Sequence, residues 1–187
     1  MITNHANQLR SVLETIDSHE ASLDRLASIL IEAFRSGKKL MTCGNGGSAA
    51  EAAHLAEEFT GRFWRERDSL PGMCLSIDGT LLTCIVNDYG QDEIFARQVS
   101  GLGQPGDVLV VFSSSGNSVN LIRVLEVARA KGITTVSLLG KGGGKTKGLA
   151  DIEIIVDSDS TMRCQECHLF LLHMLCEKVE RIWLEMD

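Results

Sequence analysis

The sequence predicts an α/β fold, a three-layer sandwich built on a five-stranded parallel sheet. Two observations predict it. Five short apolar runs alternate with stretches of helical period, and no two-residue hairpin turn joins any pair of them. Strands buried on both faces read as continuous apolar runs, because helices cover the sheet on each side.

From Leu9 to about Arg35, apolar residues recur at three- and four-residue intervals (Leu9, Val12, Leu13, Ile16, then Leu23, Leu26, Ile29, Leu30, Ala33, Phe34). This is one long helix or two consecutive ones, ended by Gly37. Lys39 to Cys43 reads as the first strand, stopped by Gly44-Asn45-Gly46-Gly47-Ser48, and an Ala-rich helix follows from about Ala49 to Phe63. Met73 to Ile77 is a second strand, with a helix over Leu81 to Val86. Asp107 to Phe112 is a third, leading through Ser113-Ser114-Ser115-Gly116-Asn117-Ser118 into a helix that reaches Lys131 and stops at Gly132. Ile133 to Leu139 and Ile152 to Val156 complete the sheet, and a helix from about Thr161 to Leu184 closes the chain.

In such sheets ligands lie beyond the carboxyl ends of the strands, where loops enter helices. The GNGGS and SSSGNS loops both fall there. Helix N-termini present unpaired N–H groups and the positive end of the helix dipole, so loops of small residues in front of them suit an anion. The serine hydroxyls add donors without charge; the plainer reading is that Ser118 only caps its helix. The segment Gly140-Lys141-Gly142-Gly143-Gly144-Lys145-Thr146 imitates a P-loop, but position 139, where that motif needs glycine, is Leu. It reads as a mobile Gly/Lys surface turn.

His54 and Glu58 are four residues apart and share a helix face, as a base and a metal ligand would, or as an exposed i,i+4 pair. In the last helix Gln165, Leu169 and His173 fall within an arc of roughly 80° at about 100° per residue. Cys164 and Cys167 have C-x-x-C spacing inside an amphipathic helix with no second such pair, so they read as packing.

The chain has 187 residues, of which 44% are hydrophobic, enough for one core-forming domain. With 18 Lys+Arg against 25 Asp+Glu the formal charge is −7, which disfavours nucleic acid and anionic membranes as partners. No apolar run is long enough to span a bilayer, and residues 1–6 lack the layout of a signal peptide, so a cytoplasmic protein with reduced cysteines is expected.

Taken together, Cys43 to Ala50 with His54, Ala56-Glu57-Glu58 and Thr60-Gly61-Arg62, then Asn87-Asp88-Tyr89-Gly90, Ser113 to Ser118, Ala150 to Ile154 and Arg163 to His168, resemble the phosphoheptose isomerase branch of the sugar-isomerase (SIS) domain family, nearly end to end. The resemblance implies a single flavodoxin-like SIS domain over 1–187, with residues 1–36 used in oligomerisation. It also implies a cytoplasmic homotetramer with active sites between subunits. The activity implied is that of an intramolecular oxidoreductase converting sedoheptulose 7-phosphate, a phosphorylated seven-carbon sugar, to D-glycero-D-manno-heptose 7-phosphate. That is the first step of ADP-heptose biosynthesis for the lipopolysaccharide core.

By the same resemblance Ser113, Ser114, Ser115 and Ser118 contact phosphate, and Asn45, Gly46, Gly47 and Ser48 lie on the sugar side. Arg62, Asn87, Asp88 and Gln165 are further substrate-binding positions, with Glu58 and His173 as the catalytic pair. One Zn²⁺ per subunit is implied on His54, Glu58, Gln165 and His173. A carboxylate held by zinc is less basic, so the two roles of Glu58 compete. Cys164 and Cys167 stand where aliphatic residues are common in the family, and Val156-Asp157-Ser158 stands where a Val-Pro-Ser is frequent. Two alternatives belong to other classes: a non-catalytic relative of the DnaA initiator-associating type, in which the positions of Glu58 and His173 differ, and an isomerase or sensor of another phosphosugar.

Overall fold

The computed structural model describes residues 1–185. Its five strands are β1 (Leu40–Gly44), β2 (Gly72–Cys74), β3 (Val108–Ser113), β4 (Thr134–Leu139) and β5 (Ile152–Ile155), all parallel, in the order β2-β1-β3-β4-β5. The helices are α1 (Ile2–Leu13), α2 (Glu20–Arg35), α3 (Gly47–Thr60), α4 (Gly79–Tyr89), α5 (Ala96–Leu102), α6 (Val119–Ala130) and α7 (Thr161–Glu185).

Period-two alternation divides the core. Leu40, Val108, Val110 and Phe112 face a layer made by α2, α3 and α7, including Leu26, Leu30, Phe34, Leu55, Phe59, Leu171 and Leu175. Met41, Cys43, Leu109 and Val111 face the opposite layer, with Phe95 and Val99 near and on α5 and Leu121 and Leu125 on α6. The expected three layers are present.

The N-terminal helical stretch is two helices. A 3-10 turn at Ile16–His19 separates them; Ile16 is buried and His19 Nε2 lies 3.1 Å from the Ile155 carbonyl, which holds the bend against β5. The helix α5 carries no strong periodic signal in its seven residues, and the sequence does not announce it. All five described strand positions otherwise fall within a few residues of the expected ones. Among the described residues, no helix is long and apolar enough to cross a membrane.

The strand order reverses between β1 and β3. This opens a crevice at their carboxyl ends, flanked by the two glycine- and serine-containing loops.

Candidate active site

The loop leaving β1 is tied to the first turn of α6, after the loop leaving β3, by a reciprocal amide pair. Asn45 Nδ2 donates to Asn120 Oδ1 at 3.0 Å, and Asn120 Nδ2 donates to Asn45 Oδ1 at 2.9 Å. These two bonds hold the crevice walls together. Ser48 is buried in the first turn of α3, and Gly47 lies so close to α7 that a Cβ there would overlap the Gln165 amide. Gln165 therefore belongs to the crevice.

On the other wall, Gly116 N donates to Ser113 Oγ at 3.0 Å and Asn117 N to Ser115 Oγ at 3.3 Å, which folds the serine loop on itself. Ser118 occupies the N-cap position of α6 but makes no side-chain cap bond. Its hydroxyl is not used in the way a simple capping role would require.

A second cluster lies further along α3. His54 Nε2 and Glu58 Oε1 are 3.0 Å apart, and α7 brings His173 to them, its ring centroid 5.0 Å from that of His54 at an interplanar angle of 77°. One donor atom from each of His54, Glu58 and His173 lies within 4.8 Å of the others. Two imidazoles and a carboxylate suit zinc by donor type. Gln165 stands two helical turns from His173, with its amide on Gly47. Phe63 covers one side of His173, at 5.8 Å between ring centroids. Cys176, one turn further on α7, is buried; desolvation and the Glu58 charge push its thiol far up, so it remains protonated beside the cluster.

The two helices that carry this cluster approach each other on either side of it. Toward the crevice, buried His168 sets Nε2 3.2 Å from the Leu139 carbonyl and Nδ1 3.6 Å from Glu51 Oε2. At the far end, Arg67 donates to the carbonyls of Glu58 at 2.7 Å and Phe59 at 2.9 Å, and its Nε lies 3.6 Å from Glu180 of α7. Glu180 in turn accepts from the backbone N–H groups of Trp64 and Arg65 at 3.2 and 3.0 Å. The carboxyl end of α3 is capped by these contacts, and with it the backbone of Glu58.

Three expected substrate-binding residues lie apart. Arg62 is exposed in the loop after α3, bonded to the Trp64 carbonyl. Asn87 and Asp88 are exposed on α4, where Asn87 Nδ2 donates to Asp88 Oδ1 at 2.7 Å. Among the described residues, none of the three makes a side-chain hydrogen bond to the crevice loops or to the His54, Glu58 and His173 cluster. Sequence reasoning missed Asn120, Glu51, His168 and Arg67. Asn120 alone had a local signal, lying two residues beyond Ser118 in the first turn of α6; the others depend on contacts across the fold.

Residues 4–140 match the sequence pattern of the SIS domain. The chain is 46% identical over 179 residues to the phosphoheptose isomerase of a Nitratiruptor species, covering 96% of this chain and 94% of the relative. It is 47% identical over 180 residues to that of Trichlorobacter lovleyi, covering 94% and 92%. Among solved structures, phosphoheptose isomerase from Francisella tularensis superposes with a TM-score of 0.92 at 30% identity, covering 96% of both chains. The Neisseria gonorrhoeae enzyme gives 0.89 at 34%, covering 96% of this chain and 97% of the other. A crevice suited to an anion, a two-imidazole and carboxylate cluster beside it, and likeness over nearly the whole length agree: the chain belongs to the phosphoheptose isomerase family of SIS-domain proteins.

Proposed function

We propose that this chain isomerises sedoheptulose 7-phosphate to D-glycero-D-manno-heptose 7-phosphate, the opening step toward ADP-heptose for the lipopolysaccharide core. The observation that carries the reading is the convergence of Glu58 and His173, from different helices, with His54. A protein acting only by binding a partner has no need of that convergence. The phosphate is held by Ser113, Ser114, Ser115 and Ser118 with the N-terminal N–H groups of α6, and the sugar lies toward Asn45, Gly46, Gly47, Ser48 and Gln165.

Moving the carbonyl from C2 to C1 requires loss of a proton from C1, an enediol, and delivery of a proton to C2, while one hydroxyl proton passes from O1 to O2. Glu58 takes the C1 proton and returns it to C2; His173 moves the proton between the oxygens and assists ring opening. The His54 contact orients the Glu58 carboxylate. His54, Glu58 and His173 fit zinc by donor type, with Gln165 as the family's fourth ligand; when bound, such an ion polarises the carbonyl and stabilises negative charge on the enediolate.

The working unit is a cytoplasmic homotetramer formed by the single domain over 1–187, with residues 1–36 contributing to assembly. In the single chain α1 buries none of its residues, and Leu169 and Phe170 are exposed on α7 between Gln165 and His173. Asn87, Asp88 and Arg62, which stand apart within one chain, then serve sites between subunits. The test is turnover of sedoheptulose 7-phosphate with product identification, beside a panel of other ketose phosphates. Glu58→Gln and His173→Gln are expected to lower kcat by at least about 100-fold with the assembly intact; full activity in either variant, or no turnover of the heptulose phosphate by the parent, refutes the reading.

A further inference from the structure

The glycine- and lysine-rich segment after β4, expected to be a mobile surface turn, is docked on the serine loop. Thr146 is fully buried, and both its backbone N–H and its hydroxyl donate to the Gly116 carbonyl, each at 2.8 Å. Lys145 N donates to Asn117 Oδ1 at 3.1 Å, and Gly140 N to the Ser113 carbonyl at 3.3 Å. The backbones meet without room for side chains: a Cβ on Gly116 would overlap the Gly143 carbonyl, and one on Gly144 would overlap the Ser115 carbonyl. Gly116 has φ +62° and Gly144 φ +54°, conformations that L side chains rarely adopt. Each residue from Ser113 to Asn117 thus meets this turn through a hydrogen bond or a direct backbone approach, the Ser114 carbonyl lying against Gly140.

We infer that the Gly140–Thr146 turn is a template that sets the serine loop for phosphate, with Thr146 as its positioning residue. The inference rests on the reading of Ser113 to Ser118 as the phosphate loop. Binding an anion through N–H and O–H groups requires several donors to converge on one point, and ordering a free loop of Ser, Gly and Asn at the moment of binding would reduce affinity. Thr146 removes that cost beforehand. It does so by occupying both acceptor positions of one carbonyl, which fixes the peptide that follows Gly116. Buried as it is, its hydroxyl has no water to turn to, so the bond to Gly116 is the one satisfied state.

The experiment compares Thr146→Val, which deletes the hydroxyl and keeps the N–H bond, with Thr146→Ser, which restores it. Each is assayed for kcat, KM for sedoheptulose 7-phosphate, inhibition by inorganic phosphate, and thermal stability. In Thr146→Val, KM and the phosphate inhibition constant are expected to rise together, about three- to tenfold, with a smaller change in kcat, and Thr146→Ser is expected to return both toward the parent values. Gly144→Ala should weaken phosphate further; should it fail to fold, the threonine pair still decides. A folded Thr146→Val with parental KM and phosphate inhibition overturns the inference, as does a loss confined to kcat. Ser114→Ala and Ser118→Ala in the same assays separate the two levels. If neither weakens phosphate inhibition, the phosphate-loop reading falls and the template with it; if they weaken it while Thr146→Val does not, only the template falls.

Discussion

Arg67 offers the most quantitative check on how Glu58 is held. Its side chain is only 2% exposed, donates to the carbonyls of Glu58, Phe59 and Asp68, and faces the 6% exposed carboxylate of Glu180 at 3.6 Å. Replacing it with methionine keeps most of the volume, but leaves the buried Glu180 carboxylate with two N–H donors and no cation, and frees the last carbonyls of α3. Removing one partner of a buried ion pair costs about 3–5 kcal/mol. For a chain of this size each kcal/mol moves the midpoint by roughly 2–4 °C, so Tm is expected to fall by about 6–20 °C. Glu180→Gln keeps an acceptor for the Trp64 or Arg65 N–H without a charge. In the double variant the missing guanidinium no longer leaves an unpaired anion, so its loss should be smaller than the sum of the single losses by about 1–3 kcal/mol. Differential scanning calorimetry on the four proteins reads the cycle. Below the variant's transition kcat should also fall, because the backbone of Glu58 is released. A Tm within about 2 °C of the parent, or strict additivity in the cycle, refutes the account.

The remaining expectations concern metal, thiols and pH. Reconstituted protein should hold about one zinc per chain by elemental analysis, and His54→Ala should bind markedly less; stoichiometric zinc in that variant would remove His54 from the donor set. Of six cysteines, Cys84 alone is exposed, while Cys43, Cys74, Cys164, Cys167 and Cys176 are buried. Burial, followed by the neighbouring Cys164 and Glu166, pushes the Cys167 thiol to about 11. A thiol reagent at pH 8 should therefore modify one cysteine in the native chain and all six after denaturation, and rapid native labelling of Cys167 would contradict this packing. Partial burial on its own would raise the Asp151 carboxyl, but the N–H and hydroxyl of Thr135, with Arg129 and Arg25, outweigh it and hold the group below its ordinary value. A depressed folded-state value contributes stability above the unfolded value and loses it as pH falls through the folded one. The Tm difference between the parent and Asp151→Asn should accordingly be present at pH 7 and close below about pH 4; a constant difference across that range would count against the assignment.

What can be read ahead of the structure is what local pattern encodes. The strands, both crevice loops and the i,i+4 relation of His54 to Glu58 follow from periodicity and turn chemistry within short stretches of chain. The resemblance adds the pairing of His173 with Glu58, which no local spacing connects to α3. Contacts set by the packing of distant elements escape. Asn120 becomes a partner of Asn45 only when the strand order brings β1 beside β3, and Glu51 meets His168 only when α7 crosses α3. The segment Gly140–Thr146 misleads for the same reason: its glycines suggest freedom, whereas the backbone of the serine loop presses directly on them. Arg62, Asn87 and Asp88 remain dispersed within one chain, and their place in sites between subunits is part of the proposal.

The position of α7 bears on how such proteins diversify. The SIS pattern covers residues 4–140, taking in both crevice loops and the His54–Glu58 pair, while Gln165 and His173 arrive on a helix 25 residues long that begins at Thr161. The candidate site is thus put together from two successive stretches of the chain, with α7 laid against α3 to complete both the crevice and the two-imidazole and carboxylate cluster. A lineage can therefore alter what such a site does by rewriting one face of a single terminal helix, leaving the sheet, both loops and the α3 pair untouched.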